Sequence, residues 1–255
     1  MEGVIMTVWT RAGKAAALVA LGMLWAGPSL AEGTLCLSYG YEDAGRTVNG
    51  PITLGRIDNL SPKVHFLKSP ILERSCPNMS AACQESAYLV PGDEVVVIGA
   101  KGDYICASYV SQQGRVANGF LPRASVSIVS DRPKVSTADW IGQWQSDPEQ
   151  TVVVEQADKT GVLSIKGDAS WGASDPERVK RGAVHVGSLD GEMKPEGETL
   201  SFGMGENGTL PFDQAVDDAD CKVRMHRIGP YLLVNDNMMC GGVNVSFTGI
   251  YRRVK

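Results

Sequence analysis

The residues with reactive side chains are few and scattered. Six cysteines (Cys36, Cys76, Cys83, Cys106, Cys221, Cys240) are the most informative. Their number is even, and none sits in the CxxC spacing of a thiolate metal site, so cross-linking is the chemistry they suit. Cys221 and Cys240 flank CKVRMHRIGPYLLVNDNMMC, which reads as a hairpin turning at Gly229-Pro230 and closing on a disulfide. Cys76 and Cys83 bracket a short polar loop, which leaves Cys36 and Cys106 as a longer staple. His65, His185 and His226 lie in separate strand-like segments, without the carboxylate helpers of a metal trio. The run Asp217-Asp218-Ala219-Asp220 lacks the spacing and terminal glutamate of a calcium loop. No Gly-x-Ser-x-Gly elbow, phosphate loop or dinucleotide fingerprint occurs. The chain therefore reads as non-catalytic, without metal or cofactor.

Several groups suit binding instead. Trp171 stands among glycines with Arg178, Lys180 and Arg181 following, the residue types of a protein-binding hot spot. The same tryptophan could equally plug a barrel. Tyr104, Tyr109 and Phe120 either form an aromatic groove or belong to a core. The acceptors Asn235, Asp236 and Asn237 follow the apolar run LLV and either line a barrel mouth or make a strand-to-loop turn; Tyr231, just before that run, is a further candidate contact.

The elements that must position these residues are strands. Hydrophobic residues make up 43% of the chain, enough for a core, and a net charge of −5 argues against a nucleic-acid partner. Residues 1–31 read as a secretory signal: Arg11 and Lys14, then an apolar run over 15–26, the Gly27-Pro28 break, and Ser29 and Ala31 before a cut after Ala31. The run is too short to span a bilayer, and no later segment is apolar enough to do so. Export to the periplasm or beyond follows from this reading and suits the cysteines.

A polar stretch at 130–139, SDRPKVSTAD, separates two strand-rich regions. The first, 32–129, holds VHFL (64–67), AYLV (87–90), EVVVIG (94–99), DYICASYV (103–110), RVANGFL (115–121) and SVSIV (125–129). In EVVVIG, Val95 and Val97 alternate with Val96 and Ile98, which predicts a strand buried on both faces. The second, 140–255, holds TVVVEQ (151–156), VLSIKG (162–167), AVHVGSL (183–189), TLSFG (199–203), CKVRMHRI and PYLLVND. There the alternation of Val243, Val245, Phe247 and Tyr251 with polar residues predicts a terminal half-buried strand. Only DPERVKRG (175–182) offers a helical turn. The sum is an all-β chain: a small barrel plus a second antiparallel barrel of about seven or eight strands.

Over residues 60–129 the order resembles the bacterial SH3-like (SH3b) domain. Leu89, Gly92, Val95 and Val97 match its first strand, Tyr104 stands where tryptophan is common, and Gly119-Phe120-Leu121 matches its Gly-aromatic-Leu step. That resemblance implies contact with a peptidoglycan peptide or an envelope protein. The second region resembles a lipocalin or calycin barrel through Gly142-x-Trp144 and the closing Arg252-Arg253. In that family the first-strand tryptophan packs under an arginine of the last strand. Avidin-like barrels and small periplasmic protease inhibitors share this opening, and the two-part layout is similar to a group of uncharacterised exported bacterial proteins. The resemblances together imply a binding protein, or alternatively an inhibitor of a periplasmic hydrolase of protease or lysozyme type.

Overall fold

A computed structural model describes Cys36, Arg46, Thr47 and residues 50–206 and 208–254. The expected signal and its cut after Ala31 lie outside the described residues. The chain is all-β, built from two antiparallel sheets and one short hairpin of β1 (Arg46–Thr47) with β2 (Gly50–Pro51).

The first sheet contains β3 (Thr53–Ile57), β4 (Val64–Leu67), β5 (Gln84–Leu89), β6 (Glu94–Lys101), β7 (Tyr104–Val110), β8 (Val116–Pro122) and β9 (Val126–Ile128). Its order is β5-β4-β8-β7-β6-β3-β9. Every strand contributes to one core: Ile57, Val64, Phe66, Leu89, Val95, Val97, Ile105, Leu121 and Val126 pack together. A flat sheet cannot bring its two edges onto a common cluster, so this one is curled around its apolar face. Turns at Pro91-Gly92-Asp93 and Lys101-Gly102-Asp103 set the hairpins, and Gly92 and Gly102 both have positive φ.

The second sheet contains β10 (Gly142–Asp147), β11 (Gln150–Gln156), β12 (Leu163–Trp171), β13 (His185–Met193), β14 (Thr199–Gly205), β15 (Gly208–Leu210), β16 (Cys221–Ile228), β17 (Tyr231–Asp236) and β18 (Gly249–Arg253). Its order is β13-β12-β11-β10-β18-β17-β16-β14-β15, nine strands that form a nearly closed barrel. The remaining seam is stitched by Asp190 N–H to Met204 Sδ (3.3 Å) and Glu192 N–H to Thr209 Oγ1 (3.0 Å). The strand count exceeds the sequence expectation because β15 is a separate three-residue piece. The one α-helix among the described residues, α1 (Pro176–Lys180), starts where Asp175 accepts from the N–H groups of Glu177 and Arg178.

One sequence expectation fails here. The alternating stretch from Val243 to Tyr251 is not one strand: only Gly249–Arg253 pairs. Residues 243–248 form an irregular lid in which Val245 and Phe247 are buried, whereas Val243 is exposed. Asn244 sits at φ 67°, which a strand cannot contain. The cause lies at the end of the neighbouring strand β17, in the Asp236 carboxylate described below.

The two sheets share a core. The second face of β6 (Val96, Ile98) meets Leu54, Leu67, Val110 and Phe120 together with Ile228, Tyr231, Leu233 and Ile250 of the barrel. Thus β6 is buried on both faces, and so is β17, whose Leu232 and Val234 point into the barrel core. The two continuous apolar runs, EVVVIG and YLLV, are where the modules lie back to back. Arg252 Nη1 donates to Val110 O (2.8 Å) and Tyr231 Oη donates to Glu94 O across the same boundary. The polar stretch at 130–139 crosses it on the outside, tied by the Arg132–Glu198 ion pair (3.2 Å) and ending in a capping box between Ser136 and Asp139.

Candidate functional site

The barrel has two differently built ends. The hairpin turn at Gly229-Pro230 and Trp144 mark the base. Trp144 is almost wholly buried, and its indole donates to Trp140 O (2.9 Å). Arg253 lies over its ring at 4.7 Å and Arg227 at 4.4 Å. Gly142 permits this stack: its φ is +143°, and a Cβ there would lie 3.0 Å from Arg253 Nε. The second arginine was not anticipated. A signal for it existed, since Val223, Met225 and Arg227 share one parity in CKVRMHRI, so period two places Arg227 with the inward residues.

Arg227 is 6% exposed and gives its donors to backbone carbonyls: Nε to Asp139 O (3.2 Å), Nη2 to Gly229 O (3.1 Å) and Nη1 to Tyr231 O. Burial, and then the charge of Arg253, pull its pKa down to about 10. Asp139 is held below the usual carboxylate range by the hydrogen bond from Ser136 Oγ. Gln112, Asp139, Trp144, Arg227, Pro230, Arg252 and Arg253 line a 230 Å³ cleft here. It adjoins a 380 Å³ groove under the linker, which shares Asp139 and Arg227.

The opposite end, the apex, is closed by residues 237–248. Cys240 is bonded to Cys221 at the start of β16. Asp236 is buried and its Oδ1 accepts from Ser246 Oγ (2.5 Å), Thr248 Oγ1 (2.7 Å), Thr248 N (3.0 Å) and Phe247 N (3.1 Å), while Oδ2 accepts from Met238 N (3.2 Å). Asn237 donates to Asp220 O (2.8 Å) and accepts from Lys222 N (2.9 Å). The barrel-mouth reading of this triplet is therefore corrected for Asp236 and Asn237: their polar atoms hold the lid and do not face a ligand. Asn235 lies opposite Arg224 in the β16–β17 ladder. The lid then crosses β13 at Gly187, where a Cβ would stand 2.5 Å from Cys240 O. Met238, Met239, Val243 and Val186 are left 52%, 51%, 69% and 69% exposed. Of these four the sequence pattern marks only Val243, as an inward residue of the expected terminal strand, and it is exposed.

Trp171 belongs to this end. It is half-buried, with the Arg178 guanidinium 3.9 Å above its ring and His185 edge-on at 5.6 Å. Arg181 is exposed at the end of α1. Other expected binding residues are dispersed. Tyr231 is fully buried in the shared core. Phe120 is fully buried there too, while Tyr109 packs against the first sheet's own core and lies 5.6 Å from the Arg252 guanidinium. The aromatic groove of Tyr104, Tyr109 and Phe120 is thus not formed, because 104 and 109 have opposite parity on β7. Tyr104 alone lines an open 390 Å³ cleft with Met79, Pro122 and Arg123.

Cys36–Cys106 and Cys76–Cys83 are also bonded, so the described residues include no free thiol. Among the described residues no three His, Cys, Asp or Glu side chains gather as metal ligands, and no helix is long and apolar enough to cross a membrane. No protein-family model matches the chain, and no curated protein or solved structure matches it.

Proposed function

We propose that the protein is an exported, non-catalytic binding protein that holds a protein partner with the apex of its barrel. The observation that carries this reading is the pair Met238-Met239, half exposed on a loop fixed by Cys221–Cys240 and by Asp236 and Asn237. A pre-ordered loop loses little backbone freedom on binding, and the flexible methionine side chains adapt to an irregular partner surface, which favours affinity. Val186, whose carbonyl accepts from Gly242 N, and Val243 extend the apolar surface of the same lid. The signal-like residues 1–31 and the three disulfides support a site of action in the periplasm or outside the cell.

The SH3-like reading of residues 60–129 is supported by the curled sheet and by Tyr104 at an open cleft, the place for a cell-wall peptide or an envelope protein. The inhibitor reading is favoured by the same rigid apical loop, since a cross-linked exposed loop suits insertion into a hydrolase cleft.

The test places a photo-crosslinking residue at 238, with position 159 at the far end of the barrel as control, in envelope extract. A discrete adduct at 238 and none at 159 is expected, and Met239→Asp abolishes it. Equal labelling at both positions refutes the apical contact. A panel of secreted proteases and lysozymes then separates inhibitor from plain binder, and co-sedimentation with purified sacculi tests the cell-wall reading.

A further inference from the structure

The basal cleft concentrates positive charge. Arg227 and Arg253 both cover the Trp144 ring, and Arg252 lines the same 230 Å³ cleft. Arg227 uses three of its five N–H donors on backbone carbonyls. Arg252 donates from Nη1 to Val110 O (2.8 Å), and Arg253 from Nη2 to Asp139 O (2.5 Å). Among the described residues, none of the three forms an ion pair with a carboxylate. The acid lining the cleft, Asp139, has Oδ2 occupied by the N–H (2.7 Å) and Oγ (2.6 Å) of Ser136. Three arginines therefore line one cleft with one carboxylate beside them, in a place where Arg227 is already withdrawn from water.

We propose that this cleft binds the terminal carboxylate of a peptide. A planar carboxylate matches the paired N–H geometry of guanidinium groups. Asp139 at the rim disfavours a second negative charge, which favours a carboxylate over a dianionic phosphate. The adjoining linker groove, where Leu54, Val129, Pro133 and Val135 alternate with charged groups of both signs such as Arg56, Glu94 and Lys134, gives the body of the peptide a mixed polar and apolar wall. The site is independent of the apical contact, at the other end of the barrel.

The test is calorimetric titration of the whole chain at constant ionic strength with N-acetyl-Ala-Ala, its C-terminal amide, acetate and inorganic phosphate. The free acid is expected to bind at least tenfold more tightly than the amide, and more tightly than acetate or phosphate. Arg253→Gln, whose side chain is exposed, should weaken the acid at least tenfold. Far-ultraviolet circular dichroism of that variant checks its fold, and the wild-type comparison of acid with amide decides the matter if it fails to fold. Equal binding of acid and amide overturns the proposal, as does acetate or phosphate matching the peptide. An unchanged affinity in a folded Arg253→Gln protein overturns it too. Met239→Asp is expected to leave the acid's affinity unchanged, so failure here and failure of the apical reading are separable.

Discussion

Replacing Asp236 by alanine tests the lid most directly. The carboxylate collects five donors, from Met238 N, Ser246 Oγ, Phe247 N, Thr248 N and Thr248 Oγ1. Hydrogen bonds to a charged acceptor contribute roughly 1.5–3 kcal/mol each, but donors on one atom are not additive. Water entering from the barrel end re-satisfies part of the set. The backbone N–H of Phe247 is the costliest to strand, because that residue is wholly buried. A loss of about 3–5 kcal/mol is therefore expected, the range for breaking a buried charged network. For a chain of this size that lowers Tm by roughly 6–20 °C. Guanidinium denaturation measures the loss, and hydrogen exchange locates it, with the amides of 246–248 protected in the wild type and fast in the variant. Asp236→Asn, which keeps one acceptor, should fall between. A change below about 1 kcal/mol, or amides at 246–248 that stay protected, would refute the claim that one carboxylate shapes this segment.

Three further perturbations have definite expected outcomes. Cys221→Ala with Cys240→Ala removes a cross-link spanning 19 residues and should cost about 3 kcal/mol on the chain-entropy argument, read as a lowered denaturation midpoint. Gly187→Ala puts a methyl against Cys240 O and should cost about 1–3 kcal/mol while detaching the lid from β13, seen as new exchange at Gly242 N. His226 is half-buried beside Arg132 and Arg227 and has an unpartnered Nδ1; this partial burial lowers its pKa below 6.5 despite Glu198. The unfolded state then binds more protons as pH drops, so stability is full above pH 6.5 and declines below it, towards the folded pKa. His226→Gln should flatten that part of the stability–pH curve.

Strand positions were legible because alternation and turn chemistry are local. VHFL at 64–67 and CKVRMHRI at 221–228 coincide with β4 and β16. The doubly buried run EVVVIG predicted that something covers its second face, but not that the barrel does. The lid defeated local reading because its shape is imposed by Asp236, which lies ten residues before Ser246 and looks like an ordinary turn acid. Tyr231 was misplaced for a related reason: a tyrosine after a Gly-Pro turn resembles a surface residue until a second module buries it. Met238 and Met239 carry no polar signature, so only their exposure and the cross-link beside them mark them out.

The shared core also decides what the linker is for. No disulfide joins residues 36–129 to residues 140–254, so covalently the modules are held only by the chain around 130–139. Yet Ile228, Tyr231, Leu233 and Ile250 are buried against Leu54, Val96 and Phe120 without help from that stretch. A protease cut in the exposed Lys134 region would thus yield two fragments that remain clasped and elute as one particle. Expressed separately, each half would carry a bare apolar wall, and they would have to be mixed to become soluble partners.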